Sequence, residues 1–303
     1  MKASTSEFVD VLGLRHHVRR WGDPNGEKLV LLHGWMDVSA SFQFLVDALQ
    51  EKWCVLAPDW RGFGESAWNR DGGYLFADYL ADLDALIDRY SPDDPVYLVG
   101  HSLGGNVACI YAGVRPKRVE RLISLEGFGV GQATHADAPA RYAIWLDEQR
   151  EPPQFATYAS FERVAARLKK NNPRLTEEMA MFLAQHWARE NGDGEIVLRA
   201  DPRHKMRSPV LYRLAEAMAC WRCVDAPVLW IEGAASHIRS WLKEDDAGFA
   251  ARMSAFADLR LEIVRGAGHM LHHDAPVAVA ALIESFGSAG GRSPRQPDPA
   301  QGQ

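Results

Sequence analysis

The chain has 303 residues, 47 % of them hydrophobic, and a formal charge of −6, which is enough for one large core plus an inserted segment. The acidic balance and the absence of a basic run argue against nucleic acid or an anionic membrane as partner. No apolar stretch approaches the roughly 18 residues of a spanning helix, and Met1-Lys2-Ala3-Ser4-Thr5-Ser6 leads into no signal-type apolar region, so a soluble cytoplasmic protein acting on a small molecule, as monomer or homodimer, is expected.

In chain order, Lys28-Leu29-Val30-Leu31-Leu32 reads as an apolar strand that ends in the glycine turn His33-Gly34-Trp35-Met36. His33 reads as a hydrogen-bonded residue that stabilises this turn rather than as a reacting group. Phe76, Tyr79, Leu80, Leu83, Ile87 and Tyr90 recur at helical spacing and predict an amphipathic helix packed on a sheet. Tyr97-Leu98-Val99-Gly100-His101-Ser102-Leu103-Gly104-Gly105 is then a strand that breaks at Gly-x-Ser-x-Gly and continues as a helix that stops before Pro116. A serine on so tight a turn sits in strained backbone, its flanks must lack bulk, and its hydroxyl is thrust out of the sheet edge. Arg121-Leu122-Ile123-Ser124-Leu125 forms the next strand and ends in Glu126-Gly127.

From Phe128 to about Asp225 no convincing strand is expected, only helical stripes. Thr176 can cap a helix carrying Met179, Phe182, Leu183 and Trp187, and Ser208-Pro209 can open another carrying Leu211, Leu214 and Met218. Tyr142, Trp145, Trp187 and Trp221 add aromatic surface, most of it expected to pack within this segment. Asp201-Pro202-Arg203-His204-Lys205-Met206-Arg207 reads as a solvated connecting loop, with attraction of an anionic substrate as the competing idea. Cys54 and Cys109 are expected to be buried thiols, and Cys220-x-x-Cys223 lacks the context of a redox or zinc motif. Beyond the strand Ala226–Gly233, Phe249, Met253 and Phe256 predict a helix before the strand at Leu261–Val264. There follow Gly268-His269, the solvated group His272-His273-Asp274, with a metal cluster disfavoured, and a helix opened by Pro276 carrying Val279, Leu282, Ile283 and Phe286.

These residue types in this order point to nucleophilic acyl transfer. Ser102 is the candidate nucleophile. His269, whose imidazole titrates near neutrality, is the candidate base that takes its proton and returns it to a leaving group. Two fixed backbone amides, assigned to Leu103 and Trp35 with Met36 as the alternative to Trp35, would hold the oxyanion.

With Ala57-Pro58-Asp59-Trp60-Arg61-Gly62-Phe63-Gly64-Glu65-Ser66 added, the motifs resemble the capped α/β-hydrolases over residues 6 to 286. The resemblance implies a doubly wound, mostly parallel eight-stranded sheet with a helical cap inserted after the sixth strand. The expected boundaries are 1–127 and 226–287 for the core, 128–225 for the cap and 288–303 for a disordered tail. Most such proteins carry an Asp three residues after the glycine closing the seventh strand, where this chain has Ser236. A hydroxyl cannot stabilise an imidazolium as a carboxylate does. Some relatives supply the acid from the sixth strand, which implies Glu126, with Glu232 and then Asp245 or Asp246 as alternatives.

The implied reaction is hydrolysis of a small or medium carboxylic ester through an acyl-enzyme, without metal or cofactor. Carbon–carbon hydrolysis of meta-cleavage type, or a non-catalytic ligand-binding scaffold, are the alternatives.

Overall fold

The computed structural model describes residues 1–50, 52–69, 72–130, 135–243 and 245–288. Its strands are β1 (Ser4–Val11), β2 (Leu14–Trp21), β3 (Glu27–Leu32), β4 (Trp53–Pro58), β5 (Val96–His101), β6 (Val119–Leu125), β7 (Ala188–Glu190), β8 (Ile196–Leu198), β9 (Val228–Gly233) and β10 (Leu259–Val264). All but β7 and β8 join one eight-stranded sheet in the order β1-β2-β4-β3-β5-β6-β9-β10. From β4 to β10 every neighbour is parallel, while β1 and β2 are antiparallel additions at one edge.

The central strands are buried on both sides, which explains their unbroken apolar runs. Their alternation divides the core. Val30, Leu32, Leu98 and Leu122 face a layer that includes α2 (Phe76–Tyr90) and α3 (Leu103–Val114). Leu29, Leu31, Val99 and Ile123 face α1 (Gln43–Ala48) and the C-terminal helix, Pro276–Ser288. Cys54 on β4 and Cys109 on α3 are buried, as expected. The chain leaves β3 toward β4 on one side and returns to β5 on the other, so the loops after β3 and β5 part at a topological switch point. Crevices in open α/β sheets form at such points.

Between β6 and β9 lie α4 (Ala138–Arg150), α5 (Phe161–Asn171), α6 (Glu177–Trp187) and α7 (Leu214–Trp221). α5 and α6 close a small core of their own around Val164, Leu168, Ala180, Leu183 and Ile196, whereas α4 buries none of its side chains. Thr176 caps α6 as its sequence predicts, accepting from Met179 N at 3.1 Å.

Four expectations need correction. The segment is not free of strands, because β7 and β8 pair as a short antiparallel ladder; three-residue strands carry too little alternation to stand out. Ser208-Pro209 does not open α7, which begins at Leu214; Ser208 Oγ instead closes a local turn on Val210, donating to its carbonyl at 2.8 Å. Phe256 lies past the end of α9 (Asp246–Met253), which follows α8 (Ile238–Leu242). It stacks on Trp221 at 5.2 Å from a turn. The last helices are α10 (Leu271–Asp274) and α11 (Pro276–Ser288). The expected tail therefore loses Ser288 to α11, and 289–303 lie outside the described residues.

The loop after β4 is held by one carboxylate. Asp59 accepts from Ser39 N at 2.6 Å and Glu65 N at 2.9 Å, and faces His17 Nδ1 at 2.7 Å. Burial alone would raise its pKa, but the hydrogen bond and charge of His17 hold it well below the usual carboxylate range. A depressed carboxylate contributes stability above its unfolded pKa of about 3.9, and that contribution is lost as pH falls through the folded value. Asp59→Asn is therefore expected to lower the urea midpoint at pH 7, with the gap to wild type narrowing below about pH 4. A pH-independent gap would show that its charge contributes nothing.

Candidate active site

β5 ends at His101, and Ser102 turns the chain into α3 with φ 50° and ψ −112°, a region that non-glycine residues avoid. The turn is held open by its neighbours: Ser102 N donates to Leu125 O at 2.9 Å, and Ser102 O accepts from Asn106 N at 2.9 Å. The loop after β3 presses against it, since a Cβ on Gly34 would stand 3.3 Å from Ser102 Cβ and 2.8 Å from His101 Nδ1. Trp35, whose indole is exposed, thus follows directly on a residue packed against Ser102. Leu103 is the first residue of α3, where a helix leaves its amides without internal partners. Met36 takes a left-handed conformation, φ 59°, and ends the turn.

The other two candidate groups meet beside this turn. His269 Nδ1 lies 2.9 Å from Glu126 Oε2, with the carboxylate fully buried and the ring 22 % exposed. Glu126 is itself in the left-handed region at φ 57°, and its Oε1 accepts from Gly233 N at 2.7 Å. Ser236, standing where an Asp is common in relatives, donates its hydroxyl to Glu126 Oε2 at 2.5 Å. The position where an Asp is common thus holds a hydroxyl that supports Glu126.

The other acids are engaged elsewhere. Glu232 accepts twice from Arg239 Nη2, at 2.8 and 2.7 Å, and burial raises its pKa against that pairing. Asp245 caps α9 through Gly248 N at 2.7 Å, and Asp246 is exposed in its first turn. His101 joins the serine turn to the loop of His269, because its Nε2 donates to His269 O at 2.8 Å and the two rings stand 4.8 Å apart. Among the described residues no hydrogen bond closes between Ser102 Oγ and the His269 ring; such bonds commonly tighten only in complex with substrate.

His33 is the structural histidine anticipated for its turn. It is fully buried, its Nδ1 donates to Gly34 O at 2.8 Å, and its Nε2 accepts from Trp60 N at 2.9 Å. Burial lowers its pKa. The group after His269 is not solvated as expected. His272 and His273 are buried, and both approach Ser41 Oγ, at 3.0 and 2.6 Å. Asp274 accepts from Gly268 N at 2.8 Å and from Asn172 Nδ2 at 2.7 Å. Apart from Gly268, their partners lie far away in sequence, so little that is local announces them.

The stretch Asp201–Arg207 is only partly the solvated loop expected: Lys205 and Arg207 are exposed, but its first half is clamped. Asp201 is buried and accepts from Tyr74 OH at 2.7 Å, while His204 is sandwiched between Phe63 and Tyr74 with centroids 3.7 Å from each. It fastens the inserted segment to the loop after β4. Burial takes the His204 pKa down to about 3, so the ring is neutral in this stack.

A mostly parallel sheet whose switch point presents a strained serine, a histidine and a buried carboxylate from three strand ends defines an α/β-hydrolase architecture. The chain belongs to the alpha/beta hydrolase fold family, which its sequence matches over residues 28–276. It is 28 % identical to a serine hydrolase-like protein of Danio rerio, covering 100 % of this chain and 93 % of that protein. It is also 28 % identical to a 3-hydroxybutyrate-oligomer hydrolase of Cupriavidus necator, covering 89 % and 92 %. The fold superposes on the thioesterase domain from the curacin biosynthetic pathway with a TM-score of 0.81 at 24 % identity, covering 93 % of this chain and 99 % of that one. Family and relatives together make this chain a hydrolase.

Proposed function

We propose that the chain hydrolyses a small or medium carboxylic ester by two-step acyl transfer. The observation that carries the proposal is the 2.9 Å contact of Glu126 with His269 Nδ1, in a loop whose carbonyl is tied to His101, the residue preceding Ser102. The carboxylate fixes the ring with its Nδ1 protonated, so Nε2 is the free base that takes the Ser102 proton as the hydroxyl attacks the carbonyl carbon. The Trp35 and Leu103 amides receive the negative charge on the former carbonyl oxygen. The alcohol leaves with the proton from His269, and a water deprotonated by the same ring then releases the acid and restores Ser102.

The segment between β6 and β9 serves as a cap. Trp187 at the end of α6 donates to Asp37 Oδ1 at 3.0 Å, and Arg174 Nε donates to Gly266 O at 2.9 Å in the loop before His269. Both contacts support a lid held against the site from which water is excluded. The four free cysteines support a cytoplasmic place of action, and no helix among the described residues is long and apolar enough to cross a membrane.

A fluorophosphonate probe is expected to label the wild type stoichiometrically and Ser102→Ala not at all, with ester turnover lost in parallel. Absence of labelling in folded wild type, or labelling that survives in Ser102→Ala, would overturn the assignment.

A further inference from the structure

Behind the serine turn lies a second cluster that the proposed chemistry does not use. Asp37, His101 and His272 are all buried, and one donor atom from each lies within 4.8 Å of the other two. Asp37 comes from the loop after β3, His101 from the end of β5, and His272 from α10. Asp37 Oδ2 already stands 3.6 Å from His272 Nε2, close to the edge of about 3.3 Å that ligands at bond lengths of about 2.0 Å span in a tetrahedral site. The His101 and His272 rings approach to 4.5 Å.

An independent observation concerns the nitrogens. His101 Nδ1 is buried with no hydrogen-bond partner, while His272 turns Nε2, not its own unpartnered Nδ1, toward Asp37. For His101 the proton can be assigned: its Nε2 faces a carbonyl, His269 O, and must donate, so Nδ1 carries a bare lone pair. A buried acceptor without a donor is costly in an apolar surrounding. A ring that donates one N–H to a backbone carbonyl and turns the other nitrogen inward is the arrangement typical of metal-binding histidines.

We propose that Asp37, His101 and His272 form a binding site for a divalent transition metal of borderline softness, with Zn²⁺ the best fit. Two imidazoles and one carboxylate match that preference, and the Ser41 hydroxyl, 2.9 Å from Asp37 Oδ2 and 3.0 Å from His272 Nε2, stands where a further oxygen is wanted. His269 is not a ligand, so the metal has no part in the proposed acyl transfer. Resting on that assignment of Ser102 and His269, a bound ion acts as a brake, because it pulls on the residue before the nucleophile and on the helix that follows the base.

The test uses Co²⁺ as a spectroscopic stand-in for Zn²⁺, in a Cys220→Ser, Cys223→Ser background that removes the only thiol pair close in sequence. Titration of the full chain is expected to give a saturable visible absorption of one Co²⁺ per chain, bleached by one equivalent of Zn²⁺. Asp37→Asn and His272→Gln, each first shown to be folded by circular dichroism, are expected to weaken binding by more than about tenfold. Zn²⁺ is expected to slow ester turnover reversibly, with recovery on adding a chelator. Absence of saturable binding in the wild type, or unchanged affinity in both folded variants, overturns the site. Stoichiometric binding with no effect on turnover overturns the brake alone. The absorption is read without substrate, so failure of the hydrolase assignment is seen separately, as absent fluorophosphonate labelling.

Discussion

Glu126→Gln, in a protein that keeps its fold, is expected to lose about 10,000-fold in kcat, equivalent to about 5.5 kcal/mol of transition-state stabilisation. All three of its partners donate: Gly233 N to Oε1, and Ser236 Oγ and His269 Nδ1 to Oε2. A carboxamide offers one acceptor oxygen instead of two. The Gly233 amide is fixed backbone and claims it, leaving the NH₂ facing Ser236 and His269. The Ser236 hydroxyl can rotate and accept, but the imidazole can accept at Nδ1 only by moving its proton to Nε2, where it can no longer deprotonate Ser102. The loss should therefore fall on kcat with KM little changed. Steady-state kinetics on an ester, beside the circular dichroism spectrum, check it, and wild-type turnover in a folded variant would remove Glu126 from the mechanism.

The second large effect is steric. A Cβ on Gly104 would lie 2.2 Å from Leu32 O and 2.8 Å from His33 O. Both are backbone atoms at the end of β3, so α3 itself must lift. Alanine is favoured over glycine in a helix by about 1 kcal/mol, but overpacking against rigid atoms costs about 1–3 kcal/mol or more. Gly104→Ala is thus expected to lower the melting temperature by several degrees and, by moving Leu103 away from Trp35, to cut turnover at least about 100-fold. Gly192→Ala, in open space, is the control and should match wild type in both measurements. Equal behaviour of the two variants would show that the α3–β3 contact is not needed.

What could be read in advance was local. Gly-x-Ser-x-Gly between an apolar run and a small-residue helix forces a particular backbone, and the structure has it at Ser102. Glu126 was reachable because Ser236 occupies a position whose usual carboxylate would be missed, and a strand-end acid was left over. The support that Ser236 lends to Glu126 could not be read, since it depends on two loops meeting across 110 positions. Distance in sequence also hid the buried histidines: Ser41 finds His272 and His273 across 231 and 232 positions. A His-His-Asp run after a glycine loop has the composition of solvated chain, and only packing against α1 and the loop after β3 reverses that. Asp201–Arg207 misled for the same reason, because its charged letters are seen in sequence while the aromatic clamp on His204 is seen only in space.

One helix has a thermodynamic consequence of its own. α4 buries no side chain, and Tyr142, Ile144 and Leu146 on it are exposed. Unwinding it breaks its backbone hydrogen bonds while leaving both faces of the sheet, and the small core of α5 and α6, covered. Its opening free energy is therefore uncoupled from global unfolding, and its amides belong to the fastest-exchanging class of the molecule. Exchange of the α4 amides is thus expected to outpace that of the sheet strands, while the rigidity that holds Ser102, Glu126 and His269 in register is untouched.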